Sequence, residues 1–267
     1  MGELSQTPSG FIQTWGVTEL LDVYPRLRIV SASHAALELS GSLDFCAEKP
    51  GCIQVTDTFE VRVLIPFDFP LMPPSVFPIG DRLPKKFHRL ESGALCLGSP
   101  TRQLLSLARK PKLVDFFREF VVPYLHTFVL YERGIALPFG ELAHGRRGLL
   151  DDFKSLFLVN SDEAAMGLVY LTSRPKRKAN RQICPCGSRV RLSRCKMHHR
   201  MVLNLRNCLG RMWFKGQHEQ VRGGTQKRVT STALGRGQIC MMTKSIPIAI
   251  VSEDDIKVGN LSNDPFS

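Results

Sequence analysis

Alternation of apolar and polar residues predicts antiparallel strands in the first third of the chain. Residues 35–45 and 58–65 both follow the two-residue period of half-buried strands, and the turn signal Pro50-Gly51 lies between them. Residues 66–80 contain five prolines in fifteen positions, which leaves room only for a short edge strand at 75–78. We therefore expect a hairpin followed by a rigid turn.

Helical periodicity appears on both sides of these strands. Residues 17–30 begin as a short amphipathic helix that Pro25 limits before a turn or strand, and residues 112–133 carry apolar positions every three or four residues. Pro123 should kink or split the second helix. Another amphipathic helix is expected from about Gly148 to 159, and a short one within 160–173. This order of elements predicts an α+β domain.

The positive charge of the chain is concentrated in its last third. The chain has 267 residues, 43% of them hydrophobic, so it can form a substantial core. Residues 1–171 carry a formal charge of −2, whereas residues 172–267 carry +14. A basic segment of this kind favours an acidic partner such as nucleic acid, although a solvated basic tail is the simpler alternative.

The compartment is inferred from what the sequence lacks. No apolar run approaches the roughly 20 residues of a membrane helix, so no membrane association is expected. The first residues carry no basic patch followed by an apolar stretch, so we expect no secretory signal and a cytoplasmic location. In that reducing compartment, clustered cysteines bind metal more often than they form disulfides.

Two motifs follow the predicted hairpin in a defined order. The first is the segment at 65–77, Ile-Pro-Phe-Asp-Phe-Pro-Leu-Met-Pro-Pro-Ser-Val-Phe. The second is the segment at 93–97, Gly-Ala-Leu-Cys-Leu, whose cysteine is Cys96. Together they resemble the ubiquitin-conjugating enzyme family in a bacterial-type variant, over roughly residues 15–133. The resemblance implies an N-terminal helix, an antiparallel β-meander, an active-site loop and C-terminal helices.

The resemblance implies that Cys96 is a nucleophile that carries a ubiquitin-like modifier as a thioester. An exposed loop cysteine after a sharp turn at Gly93 suits that role, because the thiolate is the reactive form. A buried, inert thiol is the structural alternative. His88 stands eight residues before Cys96, where the family usually has an asparagine. A histidine there can donate a hydrogen bond to the oxyanion or act as a base, or it can be a loop residue bonded to backbone.

A second cysteine motif lies in the basic third. Cys184-Pro185-Cys186-Gly187-Ser188, followed by Cys195, resembles the small zinc module named for the tail of the SecA translocation ATPase. That module implies a structural Zn²⁺ site. Position 196, the expected fourth ligand, is a lysine, so His198 is the preferred ligand because Cys-x-x-His is a common zinc spacing, with His199 as the alternative.

These observations predict four segments. Residues 1–159 would form the ubiquitin-conjugating-like catalytic domain, 160–181 a basic linker, 182–207 the zinc knuckle and 208–267 a disordered basic tail. The expected partners are a ubiquitin-like modifier, an activating enzyme and a protein target. Ten Lys/Arg and no acidic residue between 174 and 200 add nucleic acid or an acidic protein surface as a further partner. The alternative function is a non-catalytic adaptor that binds the modifier or nucleic acid. The Gly-rich loop at 138–145 is either a turn or a second acid/base element.

Overall fold

The computed structural model describes residues 8–33, 35–48, 53–135 and 145–223, and the backbone of 257–259. These residues belong to two compact units. One unit contains residues 8–135 with 257–259, and the other contains residues 145–223. The expectations for the loop at 138–144 and for most of the segment after 223 lie outside the described residues.

The first unit is built on an antiparallel sheet. Its four consecutive strands lie in the order of the chain: β1 (Leu27–Ala32), β2 (Ala36–Glu48), β3 (Val55–Pro66) and β4 (Ser75–Pro78). A short strand, β5 (Lys257–Gly259), pairs with the end of β2. Alternate residues of β3 are buried, as its two-residue period predicts: Val55, Phe59, Val61, Val63 and Ile65. The edge position predicted for the strand at 75–78 agrees with the structure.

Helices complete this unit. Two lie before the sheet, α1 (Pro8–Thr14) and α2 (Val17–Val23), and three follow it, α3 (Pro100–Leu107), α4 (Leu113–Phe116) and α5 (Val122–Glu132). The α+β class predicted from the sequence is confirmed. The core contains apolar residues of α2, α4 and α5 together with those of the strands.

The long helix predicted at 112–133 is divided by a π-helical turn. This turn, Phe117–Val121, joins α4 to α5, and the Val122 N–H donates to the Phe117 carbonyl five residues earlier. Pro123 follows immediately and has no N–H to donate to the preceding turn, so the normal hydrogen-bond ladder cannot continue through it. The predicted effect of Pro123 is therefore seen as a local widening of the helix rather than a break.

The second unit is helical. Its helices are α6 (Gly145–Phe157), α7 (Asp162–Ser173), α8 (Lys176–Arg181) and α9 (Lys196–Val221), with a 3₁₀ turn at Leu192–Arg194 before α9. The structure thus differs from the predicted segments. The expected linker at 160–181 consists mainly of α7 and α8. Helix α6 belongs to the helical unit, where it contacts α7 and α9. The division between units lies at residue 140 instead of 159.

The expectation of disorder from residue 208 is wrong for residues 208–221. Helix α9 continues to Val221, and Leu209, Phe214 and Val221 are buried. The helical spacing of apolar residues is lost there because Gly210 adopts φ +76° and interrupts the regular helix. Apolar residues after Gly210 therefore do not continue the period of those before it. Burial of these side chains keeps the second half of α9 on the helical unit.

The Cys-Pro-Cys segment packs directly against α7. A Cβ atom added at Gly167 would lie 2.6 Å from Pro185 Cγ and 2.8 Å from Pro185 Cβ. Such distances are far inside van der Waals contact, and a proline ring cannot rotate away as a flexible side chain can. The absence of a side chain at Gly167 therefore allows this segment to approach the helix. The predicted knuckle is part of a larger helical unit rather than a free-standing module.

Replacing Gly167 with alanine should destabilise the helical unit even though alanine has the higher helix propensity. We expect a loss of about 1–3 kcal/mol from overpacking, offset in part by about 1 kcal/mol of propensity. Thermal unfolding of Gly167→Ala measures the effect. Gly10→Ala is the matched control, because Gly10 is helical and has no atom within 4 Å of an added Cβ. Equal stability changes in the two variants would contradict the close packing of Pro185.

Candidate functional sites

Cys96 lies in the irregular segment between β4 and α3 and is partly exposed. The backbone on either side of it is fixed. The Leu95 N–H donates to the Val76 carbonyl of β4 at 2.8 Å, and the Cys96 N–H donates to the His88 carbonyl at 2.7 Å. The two residues that the sequence singled out, Cys96 and His88, are therefore directly linked through the backbone.

The backbone of His88 is itself held by helix α5. His88 adopts φ +39°, an uncommon left-handed conformation for a non-glycine residue. The Tyr124 hydroxyl donates to the Phe87 carbonyl at 2.9 Å and to the His88 carbonyl at 3.2 Å. The His88 carbonyl thus accepts hydrogen bonds from both Tyr124 and Cys96. Burial raises the pKa of Tyr124, and the charge of a Cys96 thiolate raises it further, so the phenol remains a neutral donor.

Arg89 closes the turn that precedes Cys96. Its guanidinium donates twice to the Gly93 carbonyl, at 2.9 and 3.1 Å, and once to the Leu83 carbonyl at 3.2 Å. The Leu90 N–H donates to the Ala94 carbonyl at 2.8 Å, and Gly93 adopts φ +85°. Gly93 therefore supplies the sharp turn that the sequence predicts. The contribution of Arg89 was missed, because nothing in its sequence position distinguishes it from a surface arginine.

Arg82 anchors the start of the same segment. Its guanidinium donates to both carboxylate oxygens of Asp57 on β3, at 2.8 and 2.7 Å, and to Glu132 at the end of α5, at 2.6 and 3.1 Å. These hydrogen bonds hold the pKa of Asp57 below its usual range, although partial burial opposes the shift. The guanidinium also lies 4.4 Å from the centre of the Phe59 ring. Charge and packing together fix this end of the segment between sheet and helix.

The second candidate site is a cluster of three thiols and one imidazole. Ligand atoms of Cys184, Cys186, Cys195 and His198 all lie within 4.8 Å of one another. Cys195 Sγ lies 3.9 Å from Cys186 Sγ and 3.4 Å from His198 Nδ1. Cys184, Cys195 and His198 are buried. A Cys₃His cluster of this compactness can hold a metal ion.

The orientation of His198 fits a metal ligand. Its Nε2–H donates to the carbonyl of Phe157, at the end of α6, at 2.9 Å. This hydrogen bond fixes the tautomer, so Nδ1 carries the free lone pair and points at the three thiols. The alternative ligand, His199, is not part of the cluster, and its Nε2 is buried without a hydrogen-bond partner among the described residues. Cys208 is exposed and lies three turns farther along α9.

The backbone brings the first two thiols together through a tight hairpin. The Cys184 N–H donates to the Val190 carbonyl at 2.8 Å, and the Leu192 N–H donates to the Gln182 carbonyl at 2.8 Å. Gly187 turns the chain at φ +84°, a backbone conformation that glycine adopts without steric cost. The 3₁₀ turn that follows carries the chain to Cys195 at the start of α9.

The thiols of the cluster differ in their ease of ionisation. Burial raises the pKa of Cys184. Burial also opposes ionisation of Cys186, but hydrogen bonds from Ser188 and from the neighbouring thiols of Cys184 and Cys195 outweigh it and lower the Cys186 pKa to about 6. Cys186 is thus a ready thiolate ligand near neutral pH, and a bound cation would favour ionisation of all three thiols.

A scan of family models and searches of curated proteins and of solved structures find no match for this chain. Within the described ranges, no helix has both the length and the apolar character required to cross a bilayer.

Metal content should separate His198 from His199. His198→Ala removes the fourth ligand and leaves the Phe157 carbonyl without its donor, so metal affinity should fall by at least the roughly 10–100-fold that loss of an outer-shell partner alone causes. His199→Ala, the matched neighbour, should keep wild-type metal content. Competition with a chelator, followed by elemental analysis of the desalted protein, measures both. Equal retention by the two variants would remove His198 from the ligand set.

Proposed function

We propose that this protein carries a ubiquitin-like modifier as a thioester on Cys96 and transfers it to an amine, usually a lysine, of a protein target. The observation that carries the proposal is the 2.7 Å hydrogen bond from the Cys96 N–H to the His88 carbonyl. This hydrogen bond keeps the partly exposed Cys96 thiol and the His88 imidazole, a potential proton donor, on one segment whose backbone is fixed. A covalent carrier needs an accessible nucleophile in a fixed place, because its acyl donor is a bulky protein.

The order of elements also supports this function. A short helix, an antiparallel meander of four strands, an irregular cysteine-bearing segment and further helices follow one another along the first unit. This is the order that the resemblance to ubiquitin-conjugating enzymes implies. The Pro-rich segment at 66–74 connects β3 to β4, and β4 in turn receives the hydrogen bond from Leu95.

The proposed reaction consists of two acyl transfers. In the first, the Cys96 thiolate attacks the thioester carbonyl of the modifier on its activating enzyme, and the activating enzyme's thiolate leaves. In the second, a neutral target amine attacks the new thioester, the amine nitrogen loses one proton to solvent or to a nearby base, and the Cys96 thiolate leaves as the amide bond forms. Both steps pass through a tetrahedral oxyanion, which a preorganised hydrogen-bond donor stabilises. No oxidant, reductant or metal ion takes part in either step.

We assign to the His88 side chain the stabilisation of that oxyanion. Either ring nitrogen of a neutral histidine can carry the donor proton, so an imidazole can replace the amide usual at this position in the family. The backbone contribution is separate: Tyr124 holds the Phe87 and His88 carbonyls, whatever side chain His88 carries. Tyr124 is therefore a positioning residue.

The Cys₃His cluster is proposed to hold structural Zn²⁺. In a tetrahedral zinc site with Zn–S of about 2.3 Å and Zn–N of about 2.0–2.1 Å, sulfur atoms lie about 3.8 Å apart and sulfur and nitrogen about 3.6 Å apart. The observed separations of 3.9 Å and 3.4 Å fall close to these values. Four protein ligands fill a tetrahedral shell, which suits a structural rather than a catalytic ion.

Incubation with an activating enzyme, ATP and a ubiquitin-like modifier should produce an adduct on Cys96 that a thiol reagent removes. Non-reducing gel electrophoresis followed by intact mass measurement detects it. Cys96→Ala should form no adduct, and Cys96→Ser should form a longer-lived oxyester. Cys208→Ala is the control, because Cys208 is also accessible but lies outside both candidate sites. An adduct that survives in Cys96→Ala would refute the proposed role of Cys96.

His88 variants should separate side-chain chemistry from backbone strain. His88→Gly tolerates the positive φ but lacks a donor, so transfer to lysine should slow by about 10²–10³-fold, as for loss of one oxyanion donor. His88→Asn keeps a donor and tolerates the same backbone region, so it should restore most of the rate. Single-turnover discharge of preloaded protein onto lysine measures both. If glycine and asparagine at this position give the same rate, the side chain has no part in the transfer.

A further inference from the structure

Nine exposed cationic side chains surround the metal-binding segment of the helical unit, and we propose that they form a binding surface for the phosphate backbone of nucleic acid. The nine residues, here called the basic surface, are Lys176, Arg177, Lys178, Arg181, Arg189, Arg191, Arg194, Lys196 and Arg200. The proposed binding is independent of DNA or RNA sequence. It involves none of the residues proposed for acyl transfer, so either proposal can fail without the other.

The basic surface is a fixed arrangement rather than a flexible tail. Its members lie on α8, on the hairpin that carries Cys184 and Cys186, on the 3₁₀ turn and on the first turns of α9. The 3₁₀ turn contacts both α8 and α9. An antiparallel bridge between Ile183 and Arg191 links the two arms of the hairpin. Four short consecutive elements therefore hold nine charges in one small part of the fold.

No carboxylate of the described chain neutralises these charges. None of the nine side chains forms an ion pair with any described residue, and the sequence from 174 to 200 contains no acidic residue. In the same unit, Asp151 and Asp162 are paired with Arg147 and Lys154. Unpaired like charges held close together repel one another, and a polyanion relieves that repulsion by replacing many small counterions.

The proposed metal cluster supports the basic surface by ordering its backbone, not by adding positive charge. Three thiolates and one divalent cation leave a local charge of −1, which offsets little of the nine positive charges. Cys184, Cys195 and His198 are buried, although they lie in the same segment as the exposed cations. The cluster thus orders a segment that has few apolar side chains of its own, and the basic surface depends on that order.

The composition of the basic surface matches phosphate rather than bases. Six of its nine cations are arginines, whose planar guanidinium groups bind phosphate oxygens in pairs. Residues 174–200 include no Phe, Tyr or Trp that could stack on an unpaired base. Duplex nucleic acid, whose bases are already stacked, is therefore the ligand with the best chemical fit.

An acidic amphipathic peptide is the competing ligand. Ile183, Val190 and Met197 are exposed among the cations and offer apolar contacts. Three dispersed apolar side chains are few beside nine cations, however, and duplex DNA presents one negative charge per roughly 1.7 Å of its axis, a density that an amphipathic peptide does not reach. The charge count thus favours nucleic acid, and direct comparison of the two ligands tests the choice.

The experiment measures fluorescence anisotropy of the full-length, metal-loaded protein with 20-base-pair DNA duplexes of two unrelated sequences. We expect equal affinity for both sequences and a loss of about 10³–10⁵-fold between 50 and 200 mM salt, if six or more phosphates are neutralised. The triple variant R177Q/R181Q/R194Q should flatten the slope of log K against log salt by up to about 2.7, or 0.9 per lost contact. The matched control R211Q/K215Q/R222Q removes three exposed cations, two from the later part of α9 and one from the residue that follows it, and should keep the wild-type slope.

Metal content and circular dichroism establish that both variants are folded, and the double variant R177Q/R181Q, confined to α8, replaces the triple variant if that one fails to fold. It should flatten the slope by up to about 1.8. Equal slopes for variant and control would overturn the proposal. So would tighter binding of an acidic amphipathic peptide than of the duplex at the same salt concentration, because that result would make the basic surface a protein-docking site.

Discussion

Backbone N–H and C=O groups that are buried outside helices and strands must find partners, and this requirement organises both units of the protein. In the first unit, the segment between β4 and α3 has no regular ladder of its own. Arg89 satisfies two of its carbonyls, and Tyr124 and the Cys96 N–H share a third, that of His88. Each such bond contributes only about 0.5–1.5 kcal/mol to stability, whereas a buried polar group without a partner costs about 1–3 kcal/mol. The observed loop conformation is therefore favoured mainly because other conformations would leave buried groups without hydrogen bonds.

The helical unit meets the same requirement at its helix ends. The last carbonyls of an α-helix have no partner within the helix, and α9 supplies donors to two neighbours. His198 donates to the Phe157 carbonyl at the end of α6, and Arg206 donates to the Leu171 and Thr172 carbonyls near the end of α7. The first of these bonds also orients His198 within the Cys₃His cluster. One interaction therefore both caps α6 and arranges the candidate metal site, and for this reason the conformation of the Cys-Pro-Cys segment depends on α6 and α7.

The sequence predicted those features that depend on short-range pattern. Strand alternation placed β2 and β3 nearly at their observed bounds, the prolines around it defined β4, and Pro123 marked the irregularity in the long helix. Spacing alone selected His198 over His199.

Features that depend on contacts between residues far apart in the sequence were missed. Helix α3 has only eight residues. It begins with Pro100 directly after the N-cap Ser99, and a Ser-Pro pair is equally typical of a loop. Tyr124 lies in an apolar helical run where a core role is the natural interpretation, although a buried phenol needs a hydrogen-bond partner. The second half of α9 was obscured by Gly210, whose interruption only tertiary burial overcomes.

The two candidate sites need cysteine thiols with opposite properties. An acyl carrier on Cys96 requires an exposed thiol whose lone pair is free to attack a carbonyl, whereas Cys184, Cys186 and Cys195 would compete for the same acyl group if their thiolates were free. Metal coordination would reduce that competition, because a thiolate that donates electron density to a cation is a weaker nucleophile than a free thiolate. Burial of Cys184 and Cys195 adds a steric barrier, and Cys186, which is only partly buried, relies on coordination most. In the proposed function, a bound metal ion would therefore preserve the selectivity of acyl transfer as well as the fold of the helical unit.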